Sequence, residues 1–200
     1  MKDIVLDIVK ESIQVKRAFF EANLEQIEKA VKLLVDCLAS GNKILLFGNG
    51  GSAADAQHLA AEFVNRFMVD RPPLAAIALT TDTSIVTSVG NDFHFDDIFL
   101  KQVQALGRRG DTAIGISTSG NSPNVVKAVK AAAEMGLNTI ALTGGSGELS
   151  ACSDLDFCVA SATTARIQET HIVLGHVLCD LVDRSLFPDR FRAETLPPPS

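Results

Sequence analysis

Five short, largely apolar runs, at 43–47, 74–79, 112–117, 138–143 and 155–160, are separated by stretches in which apolar residues recur every three or four positions. Runs of five or six residues bounded by Gly, Ser, Asn or Asp have strand length, whereas the stretches at 84–89, 96–106, 123–135 and 166–186 carry the periodicity of helices with one buried face. Strand–helix alternation requires crossover connections. These are right-handed, and they produce a mostly parallel sheet with helices on both faces. The expected class is therefore α/β, a doubly wound five-stranded parallel sheet in the flavodoxin-like order 2-1-3-4-5. Ahead of the first strand, Ile4, Ile8, Leu24, Ile27, Val31, Leu34, Val35 and Leu38 predict an N-terminal helical segment over 1–40, as one or two helices, closed by Ser40 and Gly41. A single domain over 1–188 is expected. Residues 189–200, ending in three prolines and a serine, are expected to form a tail without fixed structure.

Composition narrows the functional classes. Eighteen Lys and Arg against 24 Asp and Glu give a formal charge of -6, which disfavours a nucleic-acid partner, because phosphate backbones are bound by basic surfaces. Trp and Tyr are absent, so base-stacking platforms could come only from Phe. The longest uninterrupted apolar run, 74–79, is far short of the roughly 18 residues of a membrane span, and the charged residues Lys2, Asp3, Asp7 and Lys10 interrupt any signal-peptide core. No membrane association and a cytoplasmic location are expected. Cys37, Cys152, Cys158 and Cys179 show neither zinc-finger nor C-x-x-C spacing and are expected to be buried free thiols.

In the order 2-1-3-4-5 a ligand sits beyond the carboxyl ends of strands 1 and 3, where the order reverses. The loop after strand 1 is Gly48-Asn49-Gly50-Gly51-Ser52. The loop after strand 3 is Ser117-Thr118-Ser119-Gly120-Asn121-Ser122, with Pro123 opening a helix. Hydroxyls gathered before a helix N-terminus suit a phosphate, because unpaired amides and the positive end of the dipole point there; a plain Ser/Asn turn with Ser122 as N-cap is the bland alternative. The glycine loop also matches the dinucleotide fingerprint G-x-G-x-x-[GA], with Asp82 as a late candidate for the ribose-binding acid. That reading leaves the serine loop unexplained.

Asp55, His58 and Glu62 fall on the helix that leaves the glycine loop, and the four-residue spacing puts His58 and Glu62 on one face, as an ion site or as a solvated helix surface. On the last helix Gln168, Glu169, His171 and His176 interrupt an apolar element. Gln168 and His176 are separated by about 12 Å of helical rise, so they share an ion only if it lies between two inward-leaning side chains or if Gln168 lies outside regular helix. A core histidine with a neighbouring amide is the alternative.

Taken together, LLFGNGGSAADAQHLAAEFVNRF at 45–67, VGNDF at 89–93, GISTSGNSPNV at 115–125 and RIQETHIVLGHVLCDL at 166–181 resemble the sugar isomerase (SIS) domain, and more narrowly the bacterial phosphoheptose isomerases. The resemblance implies conversion of sedoheptulose 7-phosphate to D-glycero-D-manno-heptose 7-phosphate, the first step toward ADP- or GDP-heptose and the heptose of lipopolysaccharide or related glycans. It implies zinc, one ion per subunit, surrounded by His58, Glu62, Gln168 and His176. It assigns Ser117, Thr118, Ser119 and Ser122 to the phosphate, and Asn49, Gly50, Gly51, Ser52, Asn91 and Asp92, with Glu62 and Gln168, to the sugar. It also implies a homotetramer with sites at subunit interfaces.

Aldose–ketose isomerisation moves a proton between neighbouring carbons through an enediol or enediolate. Glu62 is the better base, and His176 the better acid. A related SIS protein that associates with the replication initiator shares the CDLVDRSLFP-type ending at 179–188, so a non-catalytic, protein-binding regulator is the alternative. The resemblance implies that such a protein lacks the counterparts of Glu62 and His176, both of which this chain keeps.

Overall fold

The computed structural model of the chain describes residues 1–192; the remainder of the expected tail lies outside the described residues. Strands β1 (Ile44–Gly48), β2 (Ala76–Ala78), β3 (Thr112–Ser117), β4 (Asn138–Thr143) and β5 (Leu155–Cys158) form one sheet, ordered β2-β1-β3-β4-β5. Every pairing is parallel. β1 and β3 are buried along their whole length, as expected of central parallel strands covered on both faces.

Helices α1 (Lys2–Ala39), α2 (Gly51–Val64) and α7 (Thr164–Leu186) cover one face of the sheet, where Leu34, Leu46, Phe63, Ile116, Leu142 and Leu174 share one core. Helices α4 (Ile98–Leu106) and α5 (Pro123–Glu134) cover the other, against Leu45, Phe47 and Ala113. Alternate residues of β1 thus feed opposite cores, as a pleated strand requires. The remaining helices are α3 (Thr83–Asp92), α6 (Glu148–Ala151) and α8 (Pro188–Arg192), with a 3-10 turn at Phe95–Asp97.

The N-terminal segment, expected as one or two helices, is one helix of 38 residues; no Pro or interior Gly breaks it. Other expectations change. Only the centre of the run 74–79 is strand, because β2 is an edge strand and pairs with β1 alone over three positions. The expected tail begins as α8. Cys37 and Cys179 are buried free thiols, but Cys158, at the end of β5, is exposed. Asp82, the acid a dinucleotide reading needs for a ribose, instead caps α3: its side chain accepts a hydrogen bond from the Ile85 amide at 3.0 Å. Among the described residues no helix is long and apolar enough to cross a membrane.

Candidate active site

The carboxyl ends of β1 and β3 deliver the two predicted loops side by side, since these strands pair from Ile44 and Thr112 to Gly48 and Ile116. Their approach is close: a Cβ at Gly48 would fall 2.8 Å from the Ile116 carbonyl oxygen and from the Ser52 Cβ. Gly50 precedes α2 with φ 55°, a conformation glycine adopts without strain. In the second loop Ser117 is buried, and its Oγ lies 2.8 Å from Ser122 Oγ and 3.3 Å from Ser119 Oγ. Three hydroxyls therefore converge ahead of α5, whose first residue is Pro123. The backbone turn is closed by the Gly120 amide donating to the Ser117 carbonyl at 3.0 Å, with Gly120 at φ 68°. Thr118 is half-buried in the same loop.

A feature the sequence did not reveal joins the loops. Asn124, the second residue of α5 and 2% exposed, exchanges two 2.9 Å hydrogen bonds with the side chain of Asn49. Its only sequence signal was position, two residues past a loop already assigned to a ligand.

The titratable groups gather between α2 and α7. These helices run side by side, with Gly175 of α7 so close to Leu59 that a Cβ there would meet the Leu59 side chain at 2.4 Å. His58 Nε2 lies 2.8 Å from His176 Nε2 and 3.5 Å from Glu62 Oε1. The His176 ring stacks on Phe67, with centroids 5.4 Å apart and planes at 25°. Phe67 lies beyond α2, which ends at Val64, and the chain there brings its ring over His176. Partial burial lowers the His176 pKa, the His58 charge lowers it further, and the Glu62 carboxylate opposes both.

The end of α2 is fixed by a buried ion pair that sequence reading missed. Arg71 Nε donates to Asp183 Oδ1 of α7 at 2.8 Å, and both side chains are fully buried. The same guanidinium donates to the carbonyls of Phe63 at 2.6 Å and Glu62 at 2.9 Å. It thereby satisfies the unpaired carbonyls of the helix terminus and holds the Glu62 backbone. Two isolated charges so far apart in sequence give no local pattern to read.

Three of the four expected metal ligands thus meet: His58, Glu62 and His176. Gln168 does not join them within one protomer. It lies inside regular helix, two turns before His176, with its amide packed on Gly51, where a Cβ would be 2.5 Å from Nε2. That places it at the glycine loop. Asn91 and Asp92 end α3, none of whose residues is buried; they are exposed and bonded to each other at 2.8 Å rather than to either loop.

His58, Glu62 and His176 are a His2Glu donor set, a combination suited to zinc. Two imidazole nitrogens on one tetrahedral zinc stand roughly 3.3 Å apart, given Zn–N bonds near 2.05 Å. The Nε2 atoms, at 2.8 Å, need only a small separation to reach that spacing. As placed, the side chains bond to each other, and among the described residues no group of His, Cys, Asp or Glu stands as a ready-made metal site. Donor identity and convergence fit the ion, and the three side chains would have to part to admit it.

A parallel 2-1-3-4-5 sheet that opens a glycine loop and a hydroxyl-rich loop onto one crevice defines a phosphosugar-handling α/β protein of the SIS type. The chain belongs to the SIS domain family, whose profile matches residues 9–144. Within that family it falls among the phosphoheptose isomerases and is an isomerase. It is 56% identical to the phosphoheptose isomerase of Nitratidesulfovibrio vulgaris over 92% of this chain and 89% of that protein. To the phosphoheptose isomerase of Thermodesulfovibrio yellowstonii it is 51% identical over 94% of each. The solved phosphoheptose isomerase of Neisseria gonorrhoeae superposes with a TM-score of 0.85 at 49% identity, covering 91% of this chain and 98% of that one. That of Francisella tularensis gives 0.87 at 42% identity, covering 91% and 97%.

Proposed function

We propose that the chain converts sedoheptulose 7-phosphate to D-glycero-D-manno-heptose 7-phosphate, supplying the aldose for ADP- or GDP-heptose and the heptose of lipopolysaccharide or related glycans. The observation that carries this reading is the meeting of His58, Glu62 and His176 across two helices, next to a crevice with a three-hydroxyl loop. Relatives that share half the sequence are named for this chemistry.

Ser117, Thr118, Ser119 and Ser122, with the α5 terminus, hold the phosphate; hydroxyl donors and helix amides suit a dianion. Gly50, Gly51 and Ser52 let backbone approach the sugar. Gln168, whose amide lies on Gly51, joins its surroundings; Asn91 and Asp92, which reach neither loop within one protomer, would join them from a neighbouring subunit. Glu62 removes the proton next to the carbonyl, and His176 handles the proton of the oxygen at the neighbouring carbon. Phe67 orients the His176 ring by stacking, and Arg71 fixes the backbone that carries Glu62. Zinc, at one ion per subunit, would be held by His58, Glu62 and His176, with Gln168 a fourth donor only if its amide left Gly51, and would supply Lewis-acid stabilisation of the developing oxyanion.

A homotetramer with sites between subunits accompanies this reading. The first half of α1 leaves Ile4, Val5, Leu6, Ile8, Val9 and Ile13 between 47% and 67% exposed, an apolar surface that copies of the chain would cover. Incubating the purified protein with sedoheptulose 7-phosphate, with and without a chelator, and identifying the product tests the proposal. Formation of the aldose that falls on metal removal is expected. Absence of any aldose from folded, metal-loaded protein would overturn it and return attention to the protein-binding regulator.

A further inference from the structure

The side chain of Asn49 belongs by sequence to the group expected to line the sugar, yet it is already engaged. Its Nδ2 donates to Asn124 Oδ1 at 2.9 Å, and its Oδ1 accepts from Asn124 Nδ2 at 2.9 Å. Asn124 Oδ1 also accepts from the Val125 amide at 2.9 Å. This arrangement admits one orientation of each amide, because flipping either would set oxygen against oxygen and N–H against N–H. Asn124 is buried at 2% exposure, so the pair is not readily exchanged for water.

The position of the pair matters more than its strength. Asn49 follows the last residue of β1, and its carbonyl accepts the Ser52 amide at 3.0 Å while Gly50 turns at φ 55°. Asn124 is in the first turn of α5, directly behind the serine loop. The pair therefore ties the two loops across the point where the strand order reverses. We propose that Asn124 is a positioning residue for the isomerase site: it fixes the glycine loop through the Asn49 side chain, and Asn49 offers substrate its backbone rather than its amide. Loops held at a set separation bind a ligand with sugar at one end and phosphate at the other without first being ordered. The catalytic consequence rests on the isomerase reading; the tie itself does not.

The test uses full-length protein carrying N49A, N124A or both, with two readouts. Hydrogen exchange of the Ser52 and Ala53 amides in unliganded protein reports the loop, and KM and kcat for sedoheptulose 7-phosphate report the site. Either single substitution should speed exchange and raise KM, each roughly 10- to 100-fold, the effect of losing both buried hydrogen bonds of the pair, with kcat changed less. The double variant should be no worse than either single one. Unchanged exchange in N124A overturns the tie, and losses that multiply in the double variant overturn the claim that Asn49 acts through Asn124. If N124A does not fold, N124D replaces it. An aspartate there still accepts from Asn49 and Val125 but cannot donate to Asn49 Oδ1, so exchange and KM should move in the same direction. Wild-type protein that fails to turn over the sugar counts against the isomerase reading alone, and the exchange measurement still decides the tie.

Discussion

His58 and His176, 118 positions apart in sequence, present their Nε2 atoms to each other at 2.8 Å, with the Glu62 carboxylate 3.5 Å from His58. At that separation one imidazole donates and the other accepts, so a single proton fits between the two nitrogens and a second would set N–H against N–H. A divalent ion placed between them removes the conflict, since both rings then serve as neutral donors.

This gives the first prediction. His176→Ala should lose both turnover and bound zinc, measured as metal content per subunit after purification in zinc. Unchanged zinc with lost activity would leave His176 a proton-handling role and remove it from the donor set.

The serine loop makes an independent prediction. The hydroxyls of Ser119 and Ser122 lie 3.3 and 2.8 Å from that of Ser117. Ser119→Phe fills that space with an apolar ring and should weaken sedoheptulose 7-phosphate and inorganic phosphate roughly 10- to 100-fold, the range for hydrogen bonds to a charged group. Unaltered affinity for both would place the phosphate elsewhere.

The Arg71–Asp183 pair separates stability from positioning. Asp183→Ala leaves a buried guanidinium uncompensated and should cost about 3–5 kcal/mol in denaturant unfolding. The double change Arg71→Met, Asp183→Leu should recover part of that stability, since no charge is left buried but the Glu62 and Phe63 carbonyls lose their donor. It should not recover turnover, because the hydrogen bond from Arg71 to the Glu62 carbonyl is gone. Full activity in the double variant would show that Glu62 needs no such support.

Much of the fold was legible because parallel strands and their crossover helices write their burial directly into the chain. The β1 run and the following Ala-rich helix could hardly be read otherwise, and both loops fall where strand order places them. The signals that failed were those of pairing across space. Nothing near Asn49 announces Asn124, and nothing near Arg71 announces Asp183, since each partner is supplied by another crossover. Gln168 shows the limit of spacing arguments: helical rise set it about 12 Å from His176, and the structure places its amide on Gly51.

His171 yields a pH prediction free of the catalytic cluster. Its ring is buried, with Nε2 at 3.0 Å from the Thr143 carbonyl, and burial lowers its pKa to about 4. An unfolded histidine titrates near 6.5. Between those values the unfolded chain binds the extra proton, so this residue makes stability fall as pH drops from 6.5 toward 4 and contributes no pH dependence above that window. The full effect is about 3 kcal/mol. His171→Gln keeps a donor for Thr143 and cannot titrate. Unfolding free energies of the two proteins should therefore follow different slopes between pH 6.5 and 4.5 and run parallel above pH 7; equal slopes throughout would show that His171 gains its proton in the folded state.

Glu62 carries the account's central claim, that the acid of the first crossover is the group that moves the proton. The most direct measurement is aldose formation from sedoheptulose 7-phosphate by Glu62→Gln protein whose thermal midpoint and oligomeric state match wild type. A fall of about 10^2- to 10^4-fold is expected for loss of a general base. Turnover within a few-fold of wild type would contradict it.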